Sequence, residues 1–172
     1  RDYTVEEVMA AVALVCVAIE VVNPRGPKGF GEEVPWFIVD GGLNEGIVLG
    51  EARKPLSRAE YSALRGQVWW NGREMQGGVG SNALGSGDLA LTWLANHLIG
   101  HGMGLQEGEI ITTGVITEFF SAALGDDIEQ RAPISVSDAL SSVPQMTNFG
   151  TEHQNSTTNR FRTAGYIPVI HN

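Results

Sequence analysis

The chain has 172 residues, and its 11 Lys and Arg against 20 Asp and Glu give a formal net charge of -9. That balance excludes a protein that wraps nucleic acid or coats an anionic membrane, because both need a basic face. Hydrophobic residues at 42% and charged residues at 18% exclude a wholly disordered chain, and the single cysteine, Cys16, excludes an intrachain disulfide or a cysteine metal cluster.

Thr4-Val5-Glu6-Glu7 has the spacing of a capping box and predicts a helix to about Val12. Val15-Cys16-Val17-Ala18-Ile19-Glu20-Val21-Val22 is β-branched and almost continuously apolar, which predicts a strand buried on both faces. Asn23-Pro24-Arg25-Gly26-Pro27 stops it. Trp36-Phe37-Ile38-Val39-Asp40 is a second apolar stretch, read as a strand ending at Asp40, and Gly46 to Gly50 is a third. Asn71-Gly72 between Val68-Trp69-Trp70 and Arg73-Glu74-Met75 predicts a type I′ hairpin. Asp88 is the expected cap of a helix to about Ile99, with Leu91, Leu94 and Leu98 on one face. Leu105 to Gly108 is a turn, Glu109 to Thr113 an expected strand, and Asp127-Ile128-Glu129 a further one. The longest apolar run, Val12 to Ile19, is too short to span a bilayer, and the N-terminal residues do not read as a secretory leader. The expected organisation is a domain over 1–136 and a polar tail over 137–172. Strands outnumber helices without regular crossovers, so the fold class is α+β with a mostly antiparallel or mixed sheet.

Glu20 is the most informative residue. A carboxylate inside an apolar strand is costly to bury without a cation or an arginine. It is a ligand candidate for a hard divalent ion such as Mg²⁺ or Mn²⁺; the competing reading is a strand-end acid facing solvent or paired with Arg25. Asp40, before Gly41-Gly42, is a candidate catalytic or binding carboxylate, or else a turn-initiating Asp. Thr112-Thr113-Gly114 can present a hydroxyl and backbone N–H groups to a substrate carboxylate, although threonine is also ordinary in strands. His97 and His101 share a helix face, but Leu98 stands where a zincin would carry its Glu, so they read as a solvated face. The Gly78 to Gly85 stretch lacks the third glycine of a dinucleotide loop and follows a hairpin, so it is rejected as one.

Taken together, Ala18 to Arg25, Ile38-Val39-Asp40, Val48-Leu49-Gly50, Leu84-Gly85, Trp93-Leu94-Ala95-Asn96 and Gly108 to Gly114 resemble the 2-keto-4-pentenoate hydratase family of the fumarylacetoacetate hydrolase superfamily. The resemblance runs from about Asp2 to about Glu129, with the family's N-terminal part missing. It implies a β-rich fumarylacetoacetase C-terminal-like fold with few helices, and a lyase that adds water to a small 2-hydroxydienoate or 2-oxoenoate. Alternatives within it are a binding or oligomerising subunit without turnover, and a 2-oxo acid decarboxylase or C–C hydrolase. It also implies Mg²⁺ or Mn²⁺ on three carboxylates, of which Glu20 is the one present here. Thr113-Gly114 match the residues near the substrate carboxylate, and Asp40 an Asp of the catalytic set. The family's His-Pro after Leu-Gly is replaced by Ser86-Gly87. The implied partners are a small 2-oxo acid and further copies of the chain, in the cytoplasm.

Overall fold

The computed structural model describes residues 1–23, 34–123 and 125–132, together with the backbone of residues 145–146 and 159–170. Helix α1 (Val5–Ala10) leads into strand β1 (Val12–Val22), then α2 (Val34–Val39), β2 (Asn44–Leu49), α3 (Arg58–Ala63), β3 (Arg65–Trp70) and β4 (Arg73–Val79). A 3₁₀ turn (Gly80–Asn82) precedes α4 (Gly87–Gly100), followed by β5 (Phe120–Ala122), β6 (Ile128–Arg131), β7 (Gln145–Met146) and β8 (Asn159–Ile170). The strands form two four-stranded sheets, ordered β2-β1-β8-β5 and β4-β3-β6-β7, and every pairing within them is antiparallel. The α+β class expected from the sequence is the class observed. Among the described residues no helix is long and apolar enough to cross a membrane.

The β1 segment is the spine of the first sheet. Its β-branched residues pack on both sides, so that Val15 through Val22 are all buried. Val15 and Val17 meet Val8, Tyr61, Leu64, Leu91 and Ala95 from α1, α3 and α4. Ile19 and Val21, on the same side by the period-two rule, meet Val68, Phe120, Ala122 and Ile128. Cys16 and Ala18 face the other way, towards Ile47. Burial pushes the Cys16 thiol pKa up, which leaves it a small apolar residue rather than a nucleophile. One edge of β1 is covered by β2 and the other by β8, in a ladder from Val12↔Ile170 to Val22↔Arg160. The segment set apart in the sequence as a polar tail thus contributes β7 and β8. Its expected boundary at residues 136 and 137, and Arg25, lie outside the described residues.

Several local expectations hold in detail. Thr4 and Glu7 form the reciprocal capping box of α1, with Glu7 N–H donating to Thr4 Oγ1 (3.3 Å) and Thr4 N–H donating to Glu7 (2.9 Å). Trp70 pairs with Arg73 across Asn71 (φ 49°) and Gly72 (φ 77°), which is the type I′ hairpin.

Two expected strands are not strands of the sheets. The segment Trp36–Val39 is not a strand ending at Asp40 but part of helix α2. Pro35 suits the first turn of a helix, and Gly41 (φ 68°) and Gly42 (φ 72°) close its end. Gly42 N–H donates to the Phe37 carbonyl (2.8 Å) and Gly41 N–H to that of Ile38 (3.0 Å), the pattern of a Schellman motif. The Gly-Gly pair read as open backbone beside a strand end is therefore a helix cap. The segment Glu109–Thr113 is extended but joins no sheet, with only single bridges at Ile110 and Val115. Its β-branched residues satisfy the local pattern, which does not by itself supply a pairing partner.

Candidate functional site

A cavity of about 780 Å³ opens between α4, the loop after β4 and the 111–115 segment, and Glu20 of β1 also lines it. Three elements fix its walls. Helix α4 supplies Ala90, Leu91, Trp93 and Leu94. Its N-cap position is Ser86, and Ala90 N–H closes the first turn on the Ser86 carbonyl (3.1 Å). Asp88, the expected cap, has another task. It is buried in the first turn, where its Oδ2 accepts from Arg58 Nε (2.9 Å) and its Oδ1 from Leu89 N–H (3.0 Å). The pairing raises the Arg58 guanidinium pKa and ties α3 to α4. At the N-terminal end Asn96 clasps the backbone of Tyr3, accepting from its N–H (2.7 Å) and donating to its carbonyl (3.0 Å). The Trp-Leu-Ala-Asn motif is thus a wall at Trp93 and Leu94 and a tether at Asn96.

The second wall is the loop at Asn82, Ala83 and Leu84. Leu84 has φ 53° and is 64% exposed, an uncommon conformation for a branched side chain, and Gly85 follows at φ 88°. Asn82 Nδ2 donates to the Ile116 carbonyl (3.0 Å), so the loop is bound to the third wall. That wall is Ile111 to Val115, and it packs closely against its neighbours. A Cβ on Gly87 would lie 3.1 Å from Thr113 Oγ1, and one on Gly114 (φ 131°) would lie 3.1 Å from Ala83 Cβ. Gly87 lets the start of α4 approach Thr113, and Gly114 lets the 113–114 backbone approach Ala83 of the preceding loop.

Three of the four candidate residues therefore converge. Glu20, Thr113 and Gly114 line one cavity although more than ninety positions separate the first from the others. Glu20 is only 3% exposed and accepts a hydrogen bond from Asn44 Nδ2 (3.0 Å). Thr113 is buried as well. Asp40 is buried at the C-cap of α2 and is not among the residues lining the cavity. His97 and His101 are exposed on α4, as read from the sequence.

Ser86, the N-cap residue of α4, is not among the residues lining the cavity. Its hydroxyl is buried, 1% exposed for the residue, and has no hydrogen-bond partner among the described residues. Among the described residues Glu20 is the single acid in the cavity lining, and no group of three His, Cys, Asp or Glu comes together. Hard divalent ions take several oxygen ligands, so these residues alone do not make a site for one.

Residues 1–150 match the model of the fumarylacetoacetate (FAA) hydrolase C-terminal family. The chain belongs to the fumarylacetoacetate hydrolase family. Among curated members it is 28% identical over 123 residues to 2-hydroxyhexa-2,4-dienoate hydratase of Comamonas testosteroni, covering 72% of this chain and 46% of the relative. It is 30% identical over 135 residues to a 4-oxalocrotonate decarboxylase of a Pseudomonas species, covering 78% and 51%. The 4-oxalocrotonate decarboxylase of Pseudomonas putida G7 complexed with calcium and acetate superposes with a TM-score of 0.68 at 26% identity, over 81% of this chain and 50% of that one. The same enzyme complexed with magnesium and adipate gives 0.67. The chain spans about half the length of these relatives.

Proposed function

We propose that this chain carries the substrate-binding wall of a hydratase-type lyase, which adds water to a small 2-hydroxydienoate or 2-oxoenoate. The observation that carries this is the meeting of Glu20, Thr113 and Gly114 on one cavity whose other walls are largely apolar. Leu84, Leu91, Trp93 and Leu94 suit a short unsaturated carbon chain, and the Thr112-Thr113-Gly114 end suits its carboxylate. Backbone N–H donors at that end would oppose the negative charge that develops on the 2-oxo oxygen as water adds. Glu20 is the acid within reach of that end, able to pass a proton between water and carbon. Asp40 is given no part in the step, because it lies off the cavity. The Mg²⁺ or Mn²⁺ expected of the family would find one acidic ligand among the described residues lining the cavity, Glu20. Assembly of several copies in the cytoplasm belongs to the same reading. The exposed apolar side chains of α2, Val34, Trp36, Phe37, Ile38 and Val39, support the assembly.

A second reading, a binding subunit that keeps the fold without turnover, is favoured by that same lone acid. Decarboxylation of a 2-oxo acid, named for two of the relatives, would use the same carboxylate recognition. Thermal melting with 2-oxopentanoate, with and without Mg²⁺ or Mn²⁺, tests binding, since a ligand of the native state must raise the melting temperature. Loss of 2-hydroxydienoate absorbance tests turnover, and release of CO₂ marks a decarboxylase. A ligand-dependent rise, abolished in Glu20→Gln and accompanied by dienoate consumption, is expected. A rise without turnover supports the binding subunit, and no rise with any of these ligands refutes both.

A further inference from the structure

Beyond the cavity, α4 carries an aromatic ladder on its outer face. Trp93, His97 and His101 recur every fourth residue and are all exposed, so they stack along one side of the helix. The Trp93 indole and His97 imidazole centroids are 5.0 Å apart with planes 10° from parallel. The His97 and His101 rings follow at 4.7 Å and 61°. We infer that His97 and His101 form a two-imidazole site for a borderline transition-metal ion, with water completing the coordination.

The ring spacing suits such an ion. With metal–nitrogen bonds of about 2.0–2.1 Å and each ring centre about 1.1 Å beyond its nitrogen, two neighbouring imidazole ligands have centroids roughly 4.5–5.2 Å apart. The observed 4.7 Å lies within that interval. The electrostatics agree. His97 is in the last turn of the 14-residue α4 and His101 is its C-cap, where the helix dipole places partial negative charge. Stacking on Trp93 holds the His97 ring in place before any ion arrives, which lowers the ordering cost of binding. Imidazole nitrogen selects Cu²⁺, Ni²⁺ and Zn²⁺ over Mg²⁺ or Ca²⁺, and the order of affinity should place Cu²⁺ above Ni²⁺ and Zn²⁺. The site is distinct from the cavity but linked to it, because Trp93 lines the cavity and backs His97.

The test is titration of the intact chain with aqueous Cu²⁺, followed by tryptophan quenching and by electron paramagnetic resonance. Expected are one bound ion with two nitrogen ligands, displacement of Zn²⁺ by Cu²⁺, and an affinity at least about tenfold weaker in either His97→Ala or His101→Ala. Both positions are exposed, and unchanged metal-free melting temperatures would show that the variants fold. The other two histidines, His153 and His171, provide the control. His153→Ala/His171→Ala should bind within about twofold of the parent. Trp93→Phe should remove most of the quenching while keeping the two-nitrogen spectrum. A spectrum with one nitrogen, or an affinity unmoved by both single α4 substitutions, overturns the inference.

Discussion

Replacing Gly78 by alanine tests how the fold builds the cavity. Gly78 lies in β4 opposite Gly66 of β3, and a Cβ there would sit 1.5 Å from the Ile116 carbonyl oxygen and 2.6 Å from its carbon. Ordinary contact begins at 3.4 Å, so the strand and the Ile116 peptide would have to part by roughly 2 Å. Neither side gives easily. The β3–β4 ladder holds Gly78, and a Cβ on Gly66 would itself lie 2.4 Å from Ile116 Cδ1, so the two glycines together seat a residue that is 2% exposed. Overpacking against side chains costs about 1–3 kcal/mol, and here the obstacle is backbone. The shift would also break the Asn82–Ile116 hydrogen bond, worth about 1 kcal/mol. We expect Gly78→Ala to lose about 3 kcal/mol or more in urea unfolding, and to weaken 2-oxo acid binding, because Ile116 adjoins the 111–115 wall. Gly77→Ala is the contrast. Its Cβ would meet only the Gly66 carbonyl oxygen, at 3.4 Å, and should cost less than about 1 kcal/mol. A Gly78→Ala variant within about 0.5 kcal/mol of the parent, with an unchanged slope, would refute this account of the packing.

Burial pushes the Tyr61 phenol up to about 12, so the folded state holds its proton more tightly than the unfolded chain. The stability this confers is complete below about pH 10 and is lost as pH rises towards 12. Alkaline unfolding followed by circular dichroism should therefore coincide with a late phenolate absorbance step that Tyr61→Phe removes; early titration of that phenol would contradict its burial. Asn96→Ala deletes both hydrogen bonds to the Tyr3 backbone and should cost about 1–2 kcal/mol by denaturant midpoint. Faster hydrogen exchange should then be confined to the first turn of α1 and its cap; an undisturbed α1 would show that the clasp does not hold it.

The amino-acid sequence by itself determined the features that depend on near neighbours. Thr4 and Glu7 are three residues apart, Asn71-Gly72 supplies its own positive φ angles, and β1 is apolar along its length, so each can be read without knowing what lies across from it. The family was legible for a similar reason, since its motifs are short and ordered along the chain. Tertiary structure decided what depends on partners distant in sequence. The place of Asp40 is one case: it follows the helix closed by Gly41–Gly42 and is not among the residues lining the cavity. The 109–113 segment has strand composition yet forms none of the strands of the two sheets. Asp88 reads locally as a cap, yet a guanidinium thirty positions earlier claims it. Glu20, Thr113 and Gly114 meet only because β1, α4 and the 111–115 segment pack around one space. Proximity of that kind comes from burying apolar surface over long chain separations, which no local pattern encodes.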